Sequence, residues 1–247
     1  MPIYLFFSGA GTGKSRSASE FPNTLIQSLQ DSENLALKNR IQNALVFNVS
    51  LENGTSFDKQ SEPVNILAVG IRMLWQIYPQ SNSVPMDFNR FLLTFDAPTP
   101  LEVLELINKS KKIDTSVILI VDGLQNFMTH HLRDGLDEGS AFYQALTKIG
   151  DLALNGSIFL IPCCTSTITS TFESSLKSTG RLRIPLPIVS LDPPKIDDIP
   201  VFQQDNHILR LLVGDCGGHE RAREVLAEHV KDININHCNI NNCDRLK

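Results

Sequence analysis

No apolar run in the chain approaches the roughly 18 to 20 residues that a membrane-spanning helix requires, so the sequence is expected to be soluble. Basic residues are not in excess. Lys and Arg number 22 against 27 Asp and Glu, a formal charge of -5, which supplies no diffuse positive field for gripping nucleic acid through its phosphates. Cysteine is sparse and odd in number, five in all, with Cys163 and Cys164 adjacent and no CxxC spacing. Neither a disulfide scaffold nor a zinc site is indicated, and reduced thiols in a reducing compartment fit best. Met1 to Phe7 is apolar but has no basic leader and no small-residue cleavage site, so it does not read as a signal peptide, and an intracellular location is expected. What the chain does have is length and apolar content: 247 residues, 42% hydrophobic and 20% charged, enough for one α/β core or two small ones.

Short apolar runs alternate with helical patterns. Ile3 to Phe7 reads as a buried strand, and Ser15 to about Ser32 as a helix interrupted by Pro22. Ala44 to Val49 is a second strand, stopped by Glu52-Asn53-Gly54-Thr55. Pro63 to Tyr78 has helical spacing, and Thr99 and Pro100 open a helix that ends on Lys109, Lys111 and Lys112. Val117 to Val121 is an unbroken apolar run ending on Asp122. Ser140 to Leu154 reads as helix, Ser157 to Ile161 as a fourth buried strand, and Arg183 to Val189 as an edge strand because of Pro185 and Pro187. The alternation predicts an α/β fold, three-layer αβα with a five-stranded, mainly parallel sheet and ligands at the carboxyl ends of the strands. Prolines 193, 194 and 200 mark a passage into a smaller helical unit. The expected division is a core over 1–192, a helical lid over 193–231, and a fraying, Asn-rich tail over 232–247.

Directly after the first strand stands Ser8-Gly9-Ala10-Gly11-Thr12-Gly13-Lys14-Ser15, which matches G-x-x-x-x-G-K-[ST] except that Ser8 replaces the first glycine. Glycines let successive backbone N–H groups curl round a phosphate. The expected nucleotide-binding set is Gly9, Ala10, Gly11, Thr12, Gly13, Lys14, Ser15 and Arg16, with Lys14 on the β- and γ-phosphates and the Ser15 hydroxyl on Mg²⁺. A dinucleotide-binding turn would need glycine at position 14, where lysine stands. A magnesium site also needs a carboxylate at the end of a neighbouring strand, and Asp122 has that position. These features predict a P-loop NTPase with ATP and Mg²⁺ as its cofactors.

Hydrolysis further requires a group that orients or deprotonates water. The usual glutamate after the strand-end aspartate is missing, because position 123 is glycine. Val121-Asp122-Gly123-Leu124-Gln125-Asn126 resembles the D-G-L-D-E segment of signal-transduction (STAND-type) ATPases, with Gln125 and Asn126 where that family carries two acids. An amide positions water but takes no proton, so slow turnover is expected unless Glu52 serves as base, and a solvated turn carboxylate is an equal reading of Glu52. Thr165 is the expected γ-phosphate sensor, with a self-satisfied Ser/Thr-rich loop as the alternative. Gly217-Gly218-His219-Glu220-Arg221-Ala222-Arg223 resembles the G-G-x-P-R-A-L lid segment of AAA-type ATPases, with Arg221 at the sensor position and Glu220 in place of the proline. His130 and His131 read as surface residues.

Taken with Ser50 to Thr55, Leu186-Pro187 and Leu191-Asp192-Pro193-Pro194, these motifs resemble the NTPase core of Crinkler-type proteins, known from oomycetes and some fungi, over about residues 2 to 230. The resemblance implies a nucleotide-dependent effector or toxin module delivered to host cytoplasm or nucleus, here an isolated core of a longer protein. ATP and ADP are the expected ligands, with self-association or a protein partner and no membrane. Three readings follow: a nucleotide-gated switch with slow hydrolysis, a nucleotide-binding scaffold without catalysis, and, last, a small-molecule kinase. The absence of N-K-x-D favours adenine over guanine.

Overall fold

A computed structural model of the chain describes residues 2–9, 11–62, 65–78, 86–111, 116–129, 133–154, 158–178, 182–188, 195–196, 199–200 and 225. They fall into two units. The first comprises Met1–Gly9 and Lys14–Ile188, the second Ala10–Gly13 and Val189–Lys247.

In the first unit five strands, β1 (Ile3–Phe7), β2 (Leu45–Ser50), β3 (Ser116–Asp122), β4 (Phe159–Ser166) and β5 (Arg183–Pro185), form one sheet in the order β2-β3-β4-β1-β5. Every pairing is parallel. Seven α-helices are described: α1 (Lys14–Ser28), α2 (Leu35–Gln42), α3 (Leu67–Ile77), α4 (Phe88–Thr94), α5 (Pro100–Lys111), α6 (Ala141–Leu152) and α7 (Thr169–Ser178).

The sheet is apolar on both sides because its strands are. All seven residues of β3 are buried. Ile118 and Ile120 pack with Ala18 and Phe21 of α1 and Ile41 of α2. Val117, Leu119 and Val121 pack on the other side with residues of α3, α5, α6 and α7. Each such side chain taken from water stabilises the fold by about 1.5–3 kcal/mol. A satellite cluster joins Ile71 of α3 to Phe88 and Phe91 of α4, with Trp75 edge-on to both rings.

Local chemistry sets several boundaries. Thr99 and Glu102 cap α5 reciprocally: Thr99 N–H donates to Glu102 Oε2 at 2.7 Å and Glu102 N–H to Thr99 Oγ1 at 3.2 Å. Ser140 caps α6 by accepting Tyr143 N–H at 3.1 Å. Pro22 lies inside α1 without ending it. That helix stops at Ser28, short of the expected Ser32, and a turn leads to the Asn34 cap of α2. The helix expected from Pro63 begins at Leu67, with 63 and 64 outside the described residues.

β4 runs five residues past the expected Ile161, so Cys163 to Ser166 are strand and not the loop beyond it. Pro162 is tolerated there because pairing with β1 begins one residue later, at Tyr4↔Cys163. The edge strand β5 is confined to Arg183–Pro185. At the opposite margin the Gln76 amide pairs with β2, accepting Asn48 N–H and donating to Asn48 O, both at 3.0 Å.

The second unit holds a two-stranded antiparallel ribbon, β6 (Lys195–Ile196) and β7 (Ile199–Pro200). Gly11 and Gly13 have φ of 73° and 87°. Most of the expected lid, Arg221 included, and all of the expected tail lie outside the described residues, as do His130 and His131.

Candidate functional site

Strand register brings the site together. Ser50 pairs with Asp122, Val121 with Cys164, and Phe7 with Ser166, so β2, β3, β4 and β1 end side by side at their carboxyl termini. Ser8 N–H continues the ladder to Ser166 O, and Leu51 N–H continues it to Asp122 O. The residues just beyond these strands therefore share one edge, where open parallel sheets place their ligands.

Asp122 is 4% exposed and accepts two hydroxyls on one oxygen. Ser15 Oγ donates to Oδ1 at 3.0 Å and Thr165 Oγ1 donates to the same atom at 2.6 Å. Thr165, 1% exposed, also accepts the Gly123 N–H at 2.9 Å. Its hydroxyl is thus committed to Asp122 and Gly123, and the longer β4 explains why: it carries Thr165 level with Asp122, not past it. Lys14 Nζ donates to Gly9 O at 2.5 Å. Burial lowers the Lys14 ammonium below its ordinary value, while the Glu52 and Asp122 carboxylates act in the opposite sense. Arg16, in the first turn of α1, is exposed.

Glu52 follows β2 and meets β3 at Gly123. Gly123 has φ of 82°, and a Cβ there would stand 2.5 Å from Glu52 Cγ. Gln125, in the 3₁₀ turn Leu124–Phe127, donates its amide to Glu52 Oε1, and Asn126 Nδ2 donates to Leu51 O at 3.0 Å. Gln125 Oε1 is buried without a hydrogen-bond partner among the described residues.

Two residues that sequence reasoning passed over support this edge. Arg72 of α3 and Glu62 have side chains 1% and 2% exposed, joined by bonds of 2.6 and 2.8 Å. The same guanidinium donates to Ser50 O at 3.2 Å, Thr55 O at 2.8 Å and Ser56 O at 3.2 Å, holding both ends of the segment that carries Glu52. The signal in the sequence was Arg72 as the one charged residue of a largely apolar helix, which requires a buried partner.

Lys14, Ser15, Asp122, Thr165, Gln125 and Glu52 thus share the carboxyl edge of the sheet. Ser15 and Asp122 present hard oxygen donors within hydrogen-bond reach of one another, a set suited to Mg²⁺ and unsuited to softer metals. No cluster of three or more His, Cys, Asp or Glu side chains that could hold a metal ion occurs among the described residues. Cys163 and Cys164 are free and buried, with both thiols pushed up by desolvation, Cys164 to about 12. No described helix is long and apolar enough to cross a membrane.

No protein-family model matches the chain. It is 32% identical over 238 residues to Crinkler effector protein 108 of Phytophthora sojae, an alignment covering 91% of this chain and 27% of that protein. The chain therefore spans about a quarter of the length of the curated relative it matches. Over that span the chain is similar to a Crinkler effector protein.

Proposed function

We propose that the chain is the nucleotide-binding part of a Crinkler-type effector, a P-loop NTPase core that binds ATP with Mg²⁺, hydrolyses it slowly and acts as a nucleotide-gated switch. The observation that carries this reading is the Ser15 hydroxyl 3.0 Å from Asp122 Oδ1, at the carboxyl edge of a parallel sheet and one residue after Lys14. Ser15 and Asp122 would hold the magnesium ion, which supplies charge neutralisation on the β- and γ-phosphates. Lys14 places its ammonium on those phosphates, exchanging the Gly9 carbonyl for phosphate oxygen. Residues 9–16 supply backbone N–H groups and the α1 N-terminus. Thr165 orients Asp122 through the hydroxyl that it donates to Oδ1.

Turnover is slow because the residue after Asp122 is Gly123 and the next polar side chain, Gln125, is an amide. The same observation favours a second reading, a scaffold that binds nucleotide without turnover.

Titration of ATP, ADP and GTP with and without Mg²⁺, followed by phosphate release on the same sample, tests both. The switch predicts magnesium-dependent ATP binding, slow release, and loss of both in Lys14→Ala. Binding without release supports the scaffold. Binding and release untouched by Lys14→Ala would refute the site.

A further inference from the structure

We propose that Glu52, presented by the end of β2, is the general base of this site, filling from a neighbouring strand the place that the missing acid at position 123 would have filled. The inference rests on the nucleotide reading above and names the group that supports its residual turnover.

Three features of the fold converge on this residue. Close approach comes first: β2 and β3 pair through Ser50↔Asp122, and Leu51 N–H bonds to Asp122 O at 2.9 Å, so the turns that leave the two strands run side by side. The residue after Asp122 is Gly123, and its missing Cβ is what makes room for Glu52, since a methyl there would meet Glu52 Cγ at 2.5 Å. Glycine at 123 therefore removes one acid from the site and admits another. Its left-handed φ of 82° is one that glycine adopts without the cost borne by other residues.

Partners come second. Gln125 donates to Glu52 Oε1, which orients the carboxylate. Glu52 is itself exposed, so a water molecule can donate one O–H to it and turn a lone pair outward. Anchorage comes third. A base must be held where it works, and Arg72 binds Ser50 O on one side of Glu52 and Thr55 O and Ser56 O on the other. Its own charge is met by the buried Glu62. Electrostatic attraction between Glu52 and Lys14 agrees with this placement near the expected γ-phosphate.

In the step assigned to it, the Glu52 carboxylate accepts one proton of the attacking water. The hydroxyl left behind forms the new O–P bond as the bridging O–P bond breaks, with that electron pair leaving on ADP. Glu52 then returns its proton to the released phosphate or to solvent, and ends as it began.

Glu52→Gln in the full chain keeps the shape and the Gln125 contact but cannot take a proton. The expected result is a fall in phosphate release of roughly 100-fold or more, with Mg²⁺-dependent ATP affinity within about twofold of the parent. Native mass spectrometry after incubation should then find intact ATP on the variant and ADP on the parent. Release within a few-fold of the parent's would overturn the assignment, as would loss of ATP binding in the variant, which would make Glu52 a binding group. A parent chain that binds ATP but releases no phosphate overturns the base while leaving the scaffold reading intact. A parent that binds no nucleotide overturns both.

Discussion

Thr165 and Asp122, on adjacent strands and 43 residues apart, share a hydrogen bond of 2.6 Å in which the threonine is the donor. The same hydroxyl accepts the Gly123 N–H, so one buried oxygen sets both the carboxylate and the turn that follows it. Thr165→Val should cost about 1–3 kcal/mol in denaturant unfolding, because it leaves a buried N–H without an acceptor and a carboxylate short of a donor. Thr165→Ser should recover most of that loss. Equal stability of Val and Ser variants would show that the hydroxyl contributes nothing.

Lys14 gives the proposed nucleotide site a distinctive alkaline behaviour. Burial lowers its pKa below the ordinary 10.5, so in the free protein the ammonium loses its proton before an exposed lysine would. A bound triphosphate favours the charged form, so ATP affinity should fall with rising pH from below 10.5, with proton uptake on binding in that window. The sign for the free fold is opposite. There the unfolded chain binds more protons, so this group's contribution to stability improves as pH rises toward 10.5. Calorimetry in two buffers of different ionisation enthalpy measures the uptake, and its absence at every pH up to 10.5 would contradict the placement of Lys14 on phosphate.

The Arg72–Glu62 pair should behave as a unit. Arg72→Met strands a buried carboxylate and should lower unfolding free energy by about 3–5 kcal/mol, whereas Arg72→Met with Glu62→Leu should regain much of it. Stability regained without turnover would separate anchorage of the Glu52 segment from simple packing. Regaining both would show that the segment holds itself.

Cys163 and Cys164 should resist alkylation in the native state near pH 8, since burial raises both thiols, Cys164 to about 12. An unfolded thiol ionises near its ordinary 9.0 while the folded one keeps its proton, so the contribution of Cys164 to stability should decline between about pH 9 and 12, and that of Cys163 should decline in the same sense above pH 9. Peptide mapping after labelling, with and without denaturant, reads this out. Modification of either residue in the folded chain would contradict their burial.

The sheet was legible where strands are apolar throughout. Val117 to Val121 and Ile3 to Phe7 announce themselves because burial on two faces demands apolar residues on both. The carboxyl half of β4 was not, because Cys163-Cys164-Thr165-Ser166 is polar enough to read as a loop and only its neighbours β1 and β3 make it a strand. α7 was hidden in the same way: Thr169–Ser178 is rich in Ser and Thr, and its helicity comes from Phe172 and Leu176 entering the core. α2 and α4 are short and were missed with it. Lys14, Ser15 and Asp122 stood out through local motif chemistry. The apposition of Glu52 and Gly123 did not, since it depends on how the turns leaving β2 and β3 pass one another, a relation between segments some seventy residues apart that no local pattern encodes.

The side chain of Gln76 imitates a peptide group. Set against the outer rim of β2, it offers Asn48 a donor and an acceptor in the places where a sixth strand would offer its own, and the next outward carbonyl, Ser50 O, is taken by Arg72 and Thr55. At Asn48 and Ser50 that rim is therefore shut to templated growth, whether by a partner's extended peptide or by another copy of the same sheet. A partner meeting this stretch must be recognised by its side chains and not by its backbone.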